Sequence, residues 1–261
     1  MISSPHNPKL KLVRSLQRRP KERQTANAFV ADGVRLVEDA WVAGIRFRFV
    51  LHAEKLSKRG NKLIEGLRAD GFDVEEIPTR LMQALSDTEN AQGILAVVEF
   101  PSASLPVSPT FILIPDQLRD PGNLGTLLRT AAAAGVDAVI IPPETTDPFA
   151  PKVVRAGMGA HFRIPILSLA WEEIIAYIGL HSLAVFLADS SGSPCWQVDF
   201  RPALALIIGG EADGASSHVR GLSKNVVGIP MPGQVESLNA ATAGSVLMFE
   251  VLRQRWEFAK K

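Results

Sequence analysis

Residues 111–142 read FILIPDQLRDPGNLGTLLRTAAAAGVDAVIIP, and this stretch decides the fold. An unbroken apolar run ends at Asp116. Asp120-Pro121-Gly122-Asn123 has the composition of a turn. Residues 124–135 are rich in alanine at helical spacing, and Gly135 supplies a stop. A second apolar run follows at 138–142. Two strands without polar alternation, joined by a helix, read as a βαβ unit of a parallel sheet covered on both faces. The alternation continues downstream. Helices are expected at 151–158 and 171–178, and strands at 164–167, 183–188, 203–210 and 226–230. A long closing helix is expected at 237–258. In such a sheet, ligands bind beyond the carboxyl ends of the strands.

Upstream, 101–109 (PSASLPVSP) is rich in Pro and Ser without periodicity and reads as a linker. Before it, strands are expected at 29–31, 47–51 and 94–100, and helices at 33–43 and 58–69. The expected organisation is therefore a small α/β domain at 1–100, a linker at 101–109, and a larger, mostly parallel α/β domain at 110–261.

The chain has 261 residues, is 46% hydrophobic and 21% charged, and carries a net charge of +1. That composition is globular and excludes a disordered chain. The overall charge makes no case for nucleic acid, but one segment is strongly basic. Lys9, Lys11, Arg14, Arg18, Arg19, Lys21 and Arg23 stand against Glu22 alone, beside an apolar stripe of Leu10, Val13 and Leu16. A solvated helix face and a phosphate contact both fit. The single cysteine, Cys195, suits a reducing compartment. The first residues are too polar for a signal peptide, and no apolar run reaches membrane-spanning length. A soluble cytoplasmic protein is expected.

Several chemistries lack their signatures. There is no G-x-G-x-x-G dinucleotide fingerprint, no G-x-x-x-x-G-K-[ST] phosphate loop and no G-x-S-x-G elbow. The histidines are scattered without metal-ligand spacing. What remains is a set of three strand ends. Asp116 leads to Asn123, Gly125 and Arg129. The strand 203–208 runs into Gly209, Gly210 and Glu211. The third strand ends in Ile229-Pro230-Met231-Pro232-Gly233, followed by Ser237-Leu238-Asn239, where Ser237 is a candidate cap for the closing helix. Three glycine-containing turns with polar residues in one sheet point to a single site. The group has no His or Cys. Its residues suit alignment of a neutral hydroxyl and a cationic electrophile better than activation of a hydrolytic water.

At these segments the chain resembles the SpoU/TrmH branch of the SPOUT RNA methyltransferases. The family pattern N-x-G-x-x-x-R falls on Asn123, Gly125 and Arg129, and G-x-E-x-x-G on Gly209, Glu211 and Gly214. The I-P-M-x-G and S-L-N elements fall on 229–233 and 237–239. Residues 1–100 are similar to the family's small, ribosomal-protein-like RNA-binding domain. The resemblance implies a trefoil-knotted catalytic domain and a homodimer with its active site at the interface. It also implies transfer of a methyl group from S-adenosylmethionine to a ribose 2′-hydroxyl of RNA, most of all ribosomal RNA, with no metal and no membrane. It assigns Asn123, Arg129, Glu211, Ser237 and Asn239 to the reaction centre. It assigns Gly209, Gly210, Gly214, Ile229, Met231 and Leu238 to the cofactor. The chain departs from the common pattern at Gly210, Ala212 and 240–242. A non-catalytic RNA-binding protein on the same fold and a tRNA 2′-O-methyltransferase are the alternatives.

Overall fold

The side chain of Asn7 accepts a hydrogen bond from the Lys9 N–H at 2.8 Å and starts helix α1, Pro8–Arg18, with proline in its first turn. Leu10, Val13 and Leu16 are fully buried along one face of it. A short helix α2, Pro20–Ala26, ends at Asn27 in the left-handed region. Then follow β1 (Ala28–Asp32), α3 (Val34–Val42), β2 (Phe47–Ala53), α4 (Lys58–Ala69), β3 (Val74–Ile77), α5 (Thr79–Leu85) and β4 (Ile94–Glu99). The sheet order is β1-β4-β2-β3. Here β4 runs antiparallel to both β1 and β2, and β3 is parallel to β2.

The computed structural model describes residues 2, 4–86, 92–210, 215–223, 225–233 and 235–259. It divides into two units, 1–101 with 149–162 and 102–148 with 163–261. The two-residue period of β1 and β4 sends side chains of the first unit to opposite faces. Phe29, Ala31, Ala96 and Val98 join Val37, Leu63 and Leu67 on one side. Ala28, Val30, Leu95 and Val97 join Leu10, Val13, Leu16, Met82 and Leu85 on the other. The segment 149–162 completes the first of these layers. Phe149 stacks on Phe100 with ring centroids 4.1 Å apart, and Phe162 stacks on Phe29 at 6.0 Å. The helical pattern of 151–158 reads locally as part of the larger domain; its burial lies in the first unit.

The second unit contains β5 (Phe111–Asp116), α6 (Pro121–Ala134), β6 (Ala138–Ile141), β7 (Ile166–Ser168), α8 (Trp171–Leu180), β8 (Ala184–Pro194), β9 (Leu204–Gly209), α9 (Ser217–Leu222), β10 (Asn225–Gly228) and α10 (Ala240–Ala259). Helix α7 (Pro151–Gly157) belongs to the segment in the first unit. All six strands are parallel, in the order β10-β8-β9-β5-β6-β7. Continuous apolar strands thus give the two-sided sheet that the sequence predicts. Ile112, Ile114, Ile140, Val185 and Ile207 pack against Trp171, Ile174 and Ile178 of α8. On β5 the alternate residue, Phe111, carries the Arg255 guanidinium of α10 over its ring at 5.3 Å. Arg255 also donates to the carbonyls of Thr110, Phe200 and Pro202, and burial lowers its pKa.

Two helix starts shift by three residues from the sequence reading, for one reason. Residues 120–123 are not a free turn: Asp120 Oδ1 accepts from the Asn123 N–H at 2.8 Å, so α6 begins at Pro121. The closing helix begins at Ala240, three residues later than expected. Side-chain caps set both starts.

Candidate active site

The middle of β8 and the carboxyl ends of β9 and β10, with the start of α10, enclose a cleft of about 350 Å³. β8 contributes Ala188, Asp189 and Ser190, and β9 contributes Ile208, Gly209 and Gly210. β10 and the turn after it contribute Val227 to Ile229 and Met231. Ser237, Leu238 and Asn239 close one side, with Ala240, Ala243 and Leu247 of α10. The pairing of β8 with β10 jumps from Leu187 opposite Val226 to Ser193 opposite Val227, so 188–192 leave the β10 ladder. The strands meet there backbone to backbone. A Cβ on Gly192 would stand 2.5 Å from the Val227 carbonyl carbon, and one on Gly228 would stand 2.9 Å from the Asp189 oxygen. Only glycine permits that approach.

Asn239 links this cleft to α6. Its Oδ1 accepts from the N–H groups of Ala241 at 2.9 Å and Thr242 at 3.1 Å, which caps α10. Its Nδ2 donates to Asn123 Oδ1 at 2.9 Å. The cap is therefore Asn239, where the sequence reading had Ser237 as the candidate. Thr130 and Ser245 join the same two helices through their hydroxyls, 3.0 Å apart. On α6, Asn123 is half-buried beside Asn239, while Arg129 faces outward. Arg129 is exposed, and among the described residues it has no hydrogen-bond or ion-pair partner.

Six of the sequence-derived positions line the cleft without further qualification: Gly209, Gly210, Ile229, Met231, Ser237 and Leu238. Asn239 lines it too and brings Asn123 to its edge. Arg129 is not among the lining residues. Glu211 and Gly214 lie outside the described residues. Asp116 pairs in register with Gly209, and its Oδ2, fully buried, accepts from the Ser216 N–H at 2.7 Å. Sequence reasoning missed Asp189, Ser190, Ala243 and Leu247. The first two had a visible signal, since LAVFLADSSG is a fourth apolar strand running into polar residues and a glycine. The last two had none, because only packing shows which face of α10 the cleft meets.

Chemically the cleft combines an apolar wall (Ile208, Leu238, Ala243, Leu247) with the glycine-rich strand ends and Asp189, whose Oδ1 accepts from the N–H and hydroxyl of Ser191. Such a lining suits a flat heterocycle with a polar, cationic extension. Residues 110–249 match the SpoU rRNA Methylase family, and residues 7–96 match the MRM3-like substrate binding domain.

The chain belongs to the SpoU rRNA methylase family.

Among SpoU relatives, the chain is 32% identical to the 23S rRNA (guanosine(2553)-2′-O)-methyltransferase RlmP of Bacillus subtilis, over 96% of this chain and 98% of that one. The fold is similar to the SpoU methyltransferase AviRb from Streptomyces viridochromogenes, solved in complex with the cofactor AdoMet. The TM-score is 0.86 at 28% identity, covering 96% of this chain and 100% of that one. An AdoMet-bound rRNA methyltransferase from Sinorhizobium meliloti matches with a TM-score of 0.84 at 29% identity, covering 97% of each chain. Among the described residues, no helix of this SpoU protein is long and apolar enough to cross a membrane.

Proposed function

We propose that the protein transfers a methyl group from S-adenosylmethionine to a ribose 2′-hydroxyl of RNA, that the RNA is ribosomal, and that it works in the cytoplasm as a homodimer. The observation that carries this reading is the Asn239–Asn123 hydrogen bond, which couples the cleft to the helix bearing Arg129. A ligand in the cleft and a substrate beside α6 would then share one polar link.

The cleft fits S-adenosylmethionine in size and lining. A volume of about 350 Å³ lies within the usual range for small-molecule sites. Main-chain groups of Gly209, Gly210, Ile229 and Met231 would hold the adenosine. Leu238, Ala243 and Leu247 would flank the adenine, and Asp189 would face the ligand's positive charge. When bound, the cofactor supplies a methyl carbon on an already activated sulfonium.

The chain's own task is then alignment and electrostatics. A guanidinium offers N–H donors and no acceptor, so Arg129 serves as a donor rather than a base. In this reading it stabilises the oxygen that loses its proton, or holds the adjacent phosphate. Asn123 and Glu211 orient the α6 side of the centre, and Ser237 and Asn239 shape the cofactor side.

Exposed apolar residues support the dimer. Val246, Phe249 and Trp256 of α10 are 41%, 49% and 61% exposed. Their spacing places them on one helical face.

Two measurements test the proposal. Calorimetric titration with S-adenosylmethionine should show one site per chain; absence of binding would favour a non-catalytic RNA-binding protein. Mapping 2′-O-methyl groups in total RNA, with and without the gene, should show one ribosomal nucleotide losing its mark. A lost mark in tRNA alone would move the substrate to tRNA.

A further inference from the structure

The seven basic residues of 9–23 separate into two groups by what their side chains touch. Lys9 is neutralised: its Nζ lies 2.5 Å from Asp73 Oδ2 and also pairs with Glu75. Arg23 is 2% exposed and donates to the carbonyl of Leu16, which makes it a structural tie between α1 and α2. The other five are Lys11, Arg14, Arg18, Arg19 and Lys21. Lys11, Arg18, Arg19 and Lys21 are exposed and Arg14 is half-buried, reaching only the carbonyl of Pro5. Among the described residues none of the five makes an ion pair.

Their placement is ordered. Lys11, Arg14 and Arg18 recur at i, i+3 and i+7 on α1, with Lys11 and Arg18 turned away from Leu10, Val13 and Leu16 and Arg14 at the border of that apolar face. Arg19 and Lys21 continue the row across the α1–α2 junction. Arg48 extends it: its guanidinium donates to the carbonyl of Ala26 at the end of α2, and the residue is exposed on β2. There is no acid on α1, and the only one on α2 is Glu22. Like charges three and four residues apart destabilise a helix, and solvated helices ordinarily relieve this by mixing signs. On α4, by contrast, Arg59 is neutralised by Glu38 of α3. A row of unneutralised cations on a helix whose other face is well packed is the pattern that a polyanion requires.

We infer that Lys11, Arg14, Arg18, Arg19 and Lys21 form a docking strip for the phosphate backbone of RNA, separate from the cleft of the second unit. The inference rests on the reading that RNA is the substrate. The strip supplies affinity and register without reading bases. Cations that contact phosphates release condensed counterions, so binding weakens with salt in proportion to the number of contacts.

The test uses the full chain and a fluorescent transcript of 23S ribosomal RNA, with binding measured by anisotropy over a salt series. The triple substitution Lys11→Ala, Arg18→Ala, Lys21→Ala should flatten the log–log salt slope by about 2–3. Binding should weaken about 10²-fold at 0.1 M salt, and the difference should close toward 1 M. Single Lys11→Ala and Lys21→Ala variants should each lower the slope by about 1. S-adenosylmethionine affinity and melting temperature should stay at wild-type values. A matched triple, Lys55→Ala, Lys58→Ala, Lys62→Ala, removes as much charge from the α4 side and should leave the slope near wild type. An unchanged slope in the strip variants, or an equal loss in the matched triple, overturns the strip while leaving the methyltransferase reading intact. A wild-type chain that binds S-adenosylmethionine but no RNA overturns both. Wild-type binding to phosphatidylserine vesicles in place of RNA would reassign the strip to a membrane surface.

Discussion

At Asn239 the two ends of one amide serve different elements. Oδ1 caps α10 through the N–H groups of Ala241 and Thr242, and Nδ2 reaches Asn123 on α6. These roles can be separated. Serine caps about as well as asparagine but is too short to reach Asn123, whereas alanine does neither. Asn239→Ala should therefore cost about 1 kcal/mol and lower Tm by about 2–4 °C, while Asn239→Ser should leave Tm nearly unchanged. Both should slow methyl transfer; full turnover in Asn239→Ser would show that the link to Asn123 is unused. Arg129 gives a second test at this scale. Arg129→Lys keeps the charge but loses the planar fork. Transfer in a tritiated-methyl assay should fall about 10²-fold with S-adenosylmethionine affinity unchanged. Wild-type-like turnover would remove Arg129 from the centre. The tripeptide Ser237-Leu238-Asn239 was legible as a helix start, but not which residue caps it. Ser and Asn have nearly equal preference, and only the position of the first helical N–H groups decides.

Among the elements, α10 sets the shape of the cleft and is held at close range. A Cβ on Gly244 would stand 2.5 Å from Leu127 Cδ2 of α6 and 3.2 Å from Ile208 Cγ1 of β9. Both neighbours are buried, Leu127 at 0% and Ile208 at 2% exposure, so neither side chain can swing clear. Ala243 and Leu247 flank this glycine and line the cleft. Gly244→Val should push α10 outward and destabilise the protein by about 2 kcal/mol, lowering Tm by about 4–8 °C. S-adenosylmethionine affinity should fall with it, measured by calorimetry below the shifted melting range. Unchanged affinity would mean that the α10 wall does not contact the ligand. Legibility at this scale followed length and periodicity. α4, with its repeated apolar positions, occupies the predicted 58–69. β3 has only Ile77 fully buried, and α2 and α5 are seven residues each, too short for a helical period to declare itself. A knot, which the resemblance implies, is a matter of threading and leaves no mark on periodicity.

For the whole molecule, the least legible feature is where the chain crosses between its two units. The break near residue 101 is marked by proline and serine. The return of 149–162 to the first unit has no local mark, because what places it is contact with residues far earlier in the chain, Phe100 and Phe29 among them. Phe149 and Val154 are 9% and 1% exposed within the cluster that includes Phe29, Val37 and Leu67. His161, at 1% exposure, faces the rings of Phe29 and Phe149. Losing one such phenylalanine from a core costs about 3–5 kcal/mol, against a total of about 5–15 kcal/mol for a domain. Residues 1–101 alone should therefore lie at the edge of stability, with Phe29 and Phe100 uncovered. Such a fragment should bind a hydrophobic dye and melt broadly. The same fragment carrying 149–162 on a long Gly/Ser linker should melt cooperatively and exclude the dye. Phe149→Ala in that linked form should return it toward the bare fragment, which ties the rescue to the aromatic contact rather than to added length. If 1–101 alone melted as sharply and at the same temperature as the linked form, the segment 149–162 would be a passenger on the first unit rather than part of its core.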